Sequence, residues 1–148
     1  MAARLDSVAK YICDMGSWKV SNLQLQKILY LAQMFHMGEN NGSHLVDVSF
    51  EAWDYGPVSP ELYRKVRMFG SGPIADVFYS ARPFRKDDVR KKTLDEVCGV
   101  LLPMRPGELV DITHWARGAW AKNYVPGIRG IAITDTDIID EYTERTKD

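Results

Sequence analysis

The spacing of apolar residues along the chain predicts a protein built mainly from α-helices. From Leu5 to Ile12 apolar side chains recur every three or four positions. This period predicts an amphipathic helix over about residues 3–15, which ends at Gly16. Five later segments of the chain carry the same helical period.

The most apolar segment, over about residues 21–37, is predicted to be the central helix of the fold. Its start carries the capping-box pattern, because Ser21 is followed three residues later by Gln24. Apolar residues then occupy nearly every face of the helix, which is typical of a helix enclosed on all sides. Gly38 is predicted to end it.

The later helices are predicted from the same period together with capping residues. They run from Ser59 to Gly70, over about 87–102, from Pro106 through Thr113, and onward from a cap at Thr134. Residues 74–84 lack a clear period and contain Pro83, so we expect an irregular segment there.

A small antiparallel β element is predicted near residues 45–56. Leu45 to Val48 is a short β-capable run, and the aromatic residues from Phe50 to Tyr55 favour a strand. The Gly56-Pro57 pair is expected to force a sharp bend directly before the next helix. Trp53 and Tyr55 would then lie at a strand-to-helix corner.

Together these elements predict a mainly α protein, a compact single-domain helical bundle over residues 1–148 around the central helix. A chain of this length can bury a core without disulfide bonds or metal ions. Its hydrophobic content of 45% and charged content of 26% are ordinary for a globular protein and argue against disorder.

The net charge and the cysteines limit which cellular compartments and which classes of partner fit the sequence. The net charge of −1 argues against a protein that coats nucleic acid without specificity. Cys13 and Cys98 lie far apart within helical patterns, as small core residues of a reduced cytoplasmic protein do. The chain shows no apolar stretch of membrane-spanning length and no leader pattern, so we expect a cytoplasmic location and no membrane contact.

Residue patterns for catalysis are weak. Asp111 and His114 share one helix face at a spacing that metals can use, but two further ligands at readable spacing are missing. The sequence has neither a G-x-S-x-G motif nor a P-loop. We therefore expect no enzymatic activity, no metal ion and no cofactor.

Basic residues cluster in the segments 64–67 and 82–92, where they could contact an acidic partner or a DNA backbone. Acidic residues from Asp87 to Glu96 are interleaved with the second cluster, which is typical of a solvated helix face. DNA binding is therefore possible but not favoured.

Two groups of aromatic residues are candidates for a partner surface. One surrounds Trp53 and Tyr55, and the other is the run from His114 to Trp120. Large rings are most often core residues, yet Trp and Tyr are also the residues richest in interface hot spots. Composition leaves both interpretations open.

The chain also resembles the Panacea domain, the family of SocA-like antitoxins that is also described in phage-associated GepA proteins. The resemblance covers about residues 5–143. It is carried by Leu25-Gln-Lys-Ile-Leu-Tyr-Leu-Ala32, by Phe50-Glu-Ala-Trp-Asp-Tyr-Gly-Pro-Val58 with Pro60 and Tyr63, and by Thr113-His114 with Trp120. One departure is the Trp115-Ala-Arg-Gly118 segment, where a more polar spacer is expected.

The resemblance implies a helical protein that neutralises a cognate toxin by direct binding. It also implies that delivery of the toxin to the ClpXP protease is possible. The residues expected to bind the partner are Trp53, Tyr55, Pro57, Tyr63, His114, Trp115 and Trp120. The alternatives are a DNA-binding autorepressor and a hydrolase-like enzyme that uses Asp111 and His114.

Overall fold

The structure, a computed structural model, describes residues 1–147 and is mainly helical. Its α-helices are α1 (Leu5–Met15), α2 (Asn22–Glu39), α3 (Pro60–Val66), α4 (Val89–Leu101), α5 (Pro106–Thr113), α6 (Ala119–Asn123) and α7 (Asp135–Arg145). Three short strands, β1 (Phe50–Trp53), β2 (Gly56–Val58) and β3 (Ala132–Ile133), form an antiparallel sheet in the order β2-β1-β3. The predicted fold class, a helical bundle with a small antiparallel β element, is confirmed.

Helix α2 is the centre of the structure, as the sequence predicts. It packs against α1, α3, α4, α5 and α7, and nearly all its residues from Leu25 to Met37 are buried. Ser21 accepts a hydrogen bond from the backbone N–H of Gln24, and the Gln24 side chain accepts one from the backbone N–H of Ser21, which confirms the capping box.

The prediction that Gly38 ends this helix is wrong. The helix continues through Gly38 to Glu39, and the ring of Tyr142 in α7 lies directly against the glycine. A Cβ atom at position 38 would lie 2.0 Å from Cγ of Tyr142. Gly38 is therefore a point of close helix packing, where the missing side chain makes room for an aromatic ring.

The β element is a hairpin with a third strand, which corrects two expectations. The Leu45–Val48 run forms no strand; only Val46 makes an isolated bridge, with Ala3. The chain turns at Asp54 and Tyr55, and Gly56-Pro57 begins strand β2, where Pro57 pairs with Ala52. Strand β2 lies at the edge of the sheet. An edge strand tolerates a proline because its outer side has no neighbouring strand and needs no backbone N–H donor there.

Contacts with α1 fix the irregular segment 74–84, which the sequence predicts correctly as irregular. The Asp6 carboxylate accepts hydrogen bonds from the backbone and hydroxyl of Ser80 and pairs with Lys65 at 3.2 Å. Burial alone would raise the pKa of Asp6, but these bonds outweigh it and lower the pKa.

The two cysteines are buried and unbridged, as expected for small core residues. Burial raises the pKa of each thiol to about 12, so both stay protonated at neutral pH. Among residues 1–147, no helix combines the length and the apolar character that crossing a bilayer requires.

Candidate partner-binding surface

The β1–β2 hairpin carries the most exposed of the predicted partner-binding residues. Trp53 ends β1, and Tyr55 lies in the turn with 72% of its surface exposed. Gly56 follows with φ +112°, a conformation that favours glycine. Pro57, also expected to bind the partner, is buried, so its contribution is to the shape of the hairpin.

Trp53 is half-buried and is held by contacts on several sides. Its ring packs edge-on against Tyr63 of α3 with 5.0 Å between the centroids. The Arg129 guanidinium lies 4.2 Å from the ring centre, and Nε1 donates a hydrogen bond to Oε1 of Glu51. We call this group the hairpin surface. It consists of Trp53, Tyr55, Tyr63 and Arg129.

The second aromatic group lies against the first. His114 stacks on Trp120 at 3.9 Å, and Trp120 stacks on Tyr124 at 4.5 Å. The indole Nε1 of Trp120 donates to the backbone oxygen of Trp53 at 2.7 Å. The Tyr124 hydroxyl donates to Oδ1 of Asp54 at 2.7 Å. The stack therefore supports the hairpin from behind, and Trp120 itself is buried.

Trp115 has a different environment from the other predicted rings. It packs against the guanidinium groups of Arg117 and Arg145, whose central carbons lie 4.9 and 4.7 Å from the ring centre. The side chain is half-buried, so one part of it faces solvent. Two cations on one indole fix the orientation of the ring in this loop.

A buried carboxylate that the sequence patterns did not reveal positions the His114–Trp120 segment. Glu141 of α7 accepts hydrogen bonds from the Tyr30 hydroxyl at 2.7 Å, from the Ala119 backbone at 2.9 Å and from Arg145 at 2.7 Å. These donors come from α2, α6 and α7 itself. Glu141 thus joins three helices behind the aromatic stack.

Lys27 of α2 is the second functional candidate that the sequence patterns did not single out. Its side chain has 0% exposure, and Nζ has no hydrogen-bond partner among residues 1–147. Burial lowers the pKa of Lys27 to about 8. The sequence does contain a signal for the burial of Lys27. Apolar residues cover nearly every face of this helix, so the few polar residues within it must be buried as well.

The Lys27 side chain ends beneath the hairpin. A Cβ atom added to Gly56 would lie 2.9 Å from Nζ of Lys27 and 3.1 Å from Oγ1 of Thr113. Burial is the largest cause that acts on the pKa of His114, and it lowers the pKa. A hydrogen bond with the Tyr55 backbone opposes burial, and the nearby Lys27 charge lowers the pKa by a smaller amount. His114 is therefore neutral at pH 7.

A pocket of about 580 Å³ opens beside the hairpin. The first residues of α2, the hairpin, α3 and the loop that holds Arg129 surround it. Trp53, Tyr55 and Tyr63 line its walls, and Lys27 belongs to its lining. Three predicted partner-binding residues and the buried ammonium therefore meet at one concave site.

The residues behind the two alternative functions have the following environments. Asp111 is exposed, while His114 is occupied by its stack on Trp120. No group of three or more potential metal ligands occurs within the described range 1–147. In the basic segments, Lys65 pairs with Asp6, Arg90 with Asp88 and Lys91 with Asp95. The other basic side chains of these segments are exposed and make no ion pair among the described residues.

Comparisons with known proteins agree with this picture. Residues 25–121 match the family described as "Antitoxin SocA-like, Panacea domain". The chain is 30% identical over 113 residues to the "Antitoxin SocA" of Caulobacter vibrioides (strain NA1000 / CB15N), a match that covers 68% of this chain and 58% of that protein. No solved structure matches the chain significantly. The match to the family spans more than half of the chain, and this protein therefore belongs to the SocA-like antitoxin family of Panacea-domain proteins.

Proposed function

We propose that this protein neutralises a cognate toxin by direct protein–protein binding and that the hairpin surface is its main contact. The observation that carries the proposal is the family match, because residues 25–121 include all seven residues expected to bind the partner. The matched relative is named an antitoxin and is longer than this chain, so its biological role is transferred here as a proposal.

The structure supports a binding role through the arrangement of the hairpin surface. Tyr55 is exposed in a turn that stacked rings and hydrogen bonds hold in place. A rigid aromatic side chain loses little conformational freedom when it binds, and such residues often dominate interface energies. The pocket beside Tyr55 adds a concave surface that a side chain of the partner can fill.

The remaining parts of the proposal follow from the same binding role. Residues 1–148 act as one domain in the cytoplasm, and binding requires no bond-making step, metal ion or cofactor. Helices α1 and α7 lie outside the matched range 25–121 but pack on α2, which is why we include them in the domain.

Co-expression with the product of the neighbouring gene tests the proposal. We expect that protein alone to stop growth, and we expect growth to recover when this chain is present. The two proteins should also co-purify as a complex. A neighbouring product that is harmless alone, or one that stays toxic and unbound beside this chain, contradicts the proposal.

Delivery of the bound toxin to ClpXP is the finer part of the proposal. Binding by itself would leave the toxin inactive but long-lived, whereas delivery would shorten its lifetime. We expect the toxin to disappear faster in cells that contain both this chain and ClpXP than in cells without the protease. An equal toxin lifetime in both strains removes the delivery step and leaves neutralisation by binding.

A further inference from the structure

The pocket beside the hairpin holds a positive charge at a position where burial is costly. Lys27 is completely buried, and its Nζ has no hydrogen-bond partner anywhere in residues 1–147. A buried ammonium without an acceptor destabilises the folded protein, because it loses its hydration and gains nothing in return. An acceptor supplied by a ligand would remove that cost.

The charges around the pocket favour an anion. The charged residues in its lining are Lys27, Arg129 and Asp54. Asp54 is exposed and accepts a hydrogen bond from the Tyr124 hydroxyl. Ser21, Asn22 and Leu23 also line the pocket, so it lies at the N-terminus of the 18-residue helix α2, where the helix dipole is positive.

The remaining walls suit the carbon atoms of an amino-acid side chain. Trp53, Tyr63 and Val58 contribute apolar surface to the lining of the pocket. At about 580 Å³ the pocket is large enough for one long side chain and part of its backbone. A ligand with an apolar stem and a terminal carboxylate matches this combination of apolar and positively charged lining residues.

From these observations we propose that the pocket receives an acidic side chain, Asp or Glu, of the toxin. The Lys27 side chain turns out of its buried position so that its ammonium binds the carboxylate, while Trp53 and Tyr63 enclose the stem. Arg129 at the rim attracts the same group during approach. The proposal rests on the proposed function, since it names the chemistry by which the toxin is held. Burial of the Lys27 ammonium costs stability, and the proposed binding role gives a reason for that cost.

Toxin binding by Lys27→Met provides the first test. Methionine keeps a long unbranched side chain and removes the charge, so the variant should fold at least as well as the wild type. We expect it to bind the neighbouring gene product at least tenfold more weakly in calorimetry. Lys92→Met removes one charge from the exposed face of α4, outside the pocket, and should bind like the wild type.

A small-molecule probe tests the pocket without the toxin. The probe is N-acetyl-glutamate N-methylamide, and its neutral control is the matching glutamine compound. We expect the glutamate compound to shift the NMR signal of the Trp53 indole N–H in a saturable way in the wild type. The shift should be absent with Lys27→Met and weaker with Arg129→Gln, an exposed position whose replacement leaves the core intact.

The outcomes separate the two proposals. If the wild type binds the toxin and Lys27→Met binds equally well, the carboxylate pocket is wrong and the proposed function stands. If the neighbouring product does not bind at all, the proposed function fails, and the probe still decides whether the pocket recognises a carboxylate. Equal shifts with the glutamate and glutamine compounds overturn charge recognition, and Lys27 then has a structural role only.

Discussion

At the scale of single residues, Lys27 and Tyr55 are the side chains for which the proposed binding role gives a reason that stability does not. Tyr55 leaves an aromatic ring in solvent, and Lys27 keeps a cation inside the protein. The buried cation has a free-energy cost, and a partner that contacts the hairpin surface would cover the exposed ring. Residues that work against stability in this way tend to occur at functional sites.

The charge of Lys27 gives the free energy of unfolding a definite pH dependence. The pKa falls from 10.5 in the unfolded chain to about 8 in the folded protein, which corresponds to roughly 3 kcal/mol of destabilisation when the side chain is charged. Below pH 8 this penalty is fully present. Between pH 8 and 10.5 the unfolded state binds more protons, so the stability contributed by this group rises with pH.

We therefore expect Lys27→Met to be more stable than the wild type at pH 7, with a difference that shrinks as the pH rises from 8 to 10.5. Urea unfolding of both proteins at each pH measures this difference. The other titrating groups are the same in both proteins, so their contributions cancel when the two free energies are subtracted. A constant difference, or a Lys27→Met protein that is less stable at pH 7, would show that the ammonium has a stabilising contact.

At the scale of secondary-structure elements, close contacts with α7 hold the C-terminal part of α2 and the start of α6 in place. Gly38 lets Tyr142 approach α2, and Glu141 ties the start of α6 to both helices. Glu141 and Tyr142 both contact α2, and they lie about one turn before the C-terminal end of α7. Helix α7 thus fixes the aromatic stack against which the hairpin rests.

Replacement of Gly38 tests the close packing of α2 and α7. Alanine at this position would place its Cβ 2.0 Å from the Tyr142 ring, so we expect Gly38→Ala to lose about 1–3 kcal/mol of unfolding free energy. Gly99→Ala is the matched control, because no described atom outside its own helix lies within 4 Å of a Cβ there. It should gain about 0.5–1 kcal/mol from helix propensity. Equal effects of the two substitutions in urea unfolding would contradict the packing role of Gly38.

Glu141 is the second test at this scale. Glutamine keeps the size of the side chain but removes the charge that Arg145 pairs with and turns an N–H₂ group toward existing donors. We expect Glu141→Gln to lose about 2–4 kcal/mol of stability. Asp140→Asn, on the exposed face of α7, should change stability by less than about 0.5 kcal/mol. Circular dichroism during thermal unfolding reports both changes, and a neutral Glu141→Gln would show that the carboxylate is dispensable.

Most helices of this fold could be predicted from sequence because their signals are local. The capping box at Ser21, the Ser59-Pro60 start and the Thr134 cap each act within three residues. Sequence places the turn at Gly56-Pro57 instead of at Asp54 and Tyr55, because Gly-Pro is a strong turn signal and only sheet pairing reveals that Pro57 lies on an edge strand. The α6 helix is five residues long and has no side-chain hydrogen bond at its N-cap, so no local pattern marks its start.

The candidate site was predictable only in part, since its contacts are non-local. Trp53 and Tyr55 were found from composition and turn chemistry. The bond from Trp120 to the Trp53 backbone joins residues 67 positions apart, and the one from Tyr30 to Glu141 spans 111 positions. Pairings over such separations depend on how the helices pack, which a single sequence with no alignment does not encode in a readable pattern.

At the scale of the whole molecule, the fold presents a supported hairpin and a charged pocket on one side of a helical core. Helix α2 supplies both the centre of the core and, through its N-terminal residues and Lys27, part of the pocket. Stability and binding therefore share one element. Under the proposed function, this arrangement gives a small protein of this family a preformed binding surface.

The affinity for the toxin of wild type, Tyr55→Ala and Tyr79→Ala tests the central claim most directly. Both tyrosines are highly exposed, at 72% and 89%, so neither substitution should change the thermal midpoint. Tyr55 lies in the hairpin surface, whereas Tyr79 lies in the irregular segment 74–84. We predict that Tyr55→Ala weakens binding by about 2 kcal/mol or more, roughly 30-fold, and that Tyr79→Ala binds as the wild type does. A folded Tyr55→Ala protein that holds the toxin with undiminished affinity would contradict the claim that the hairpin surface is the site of neutralisation.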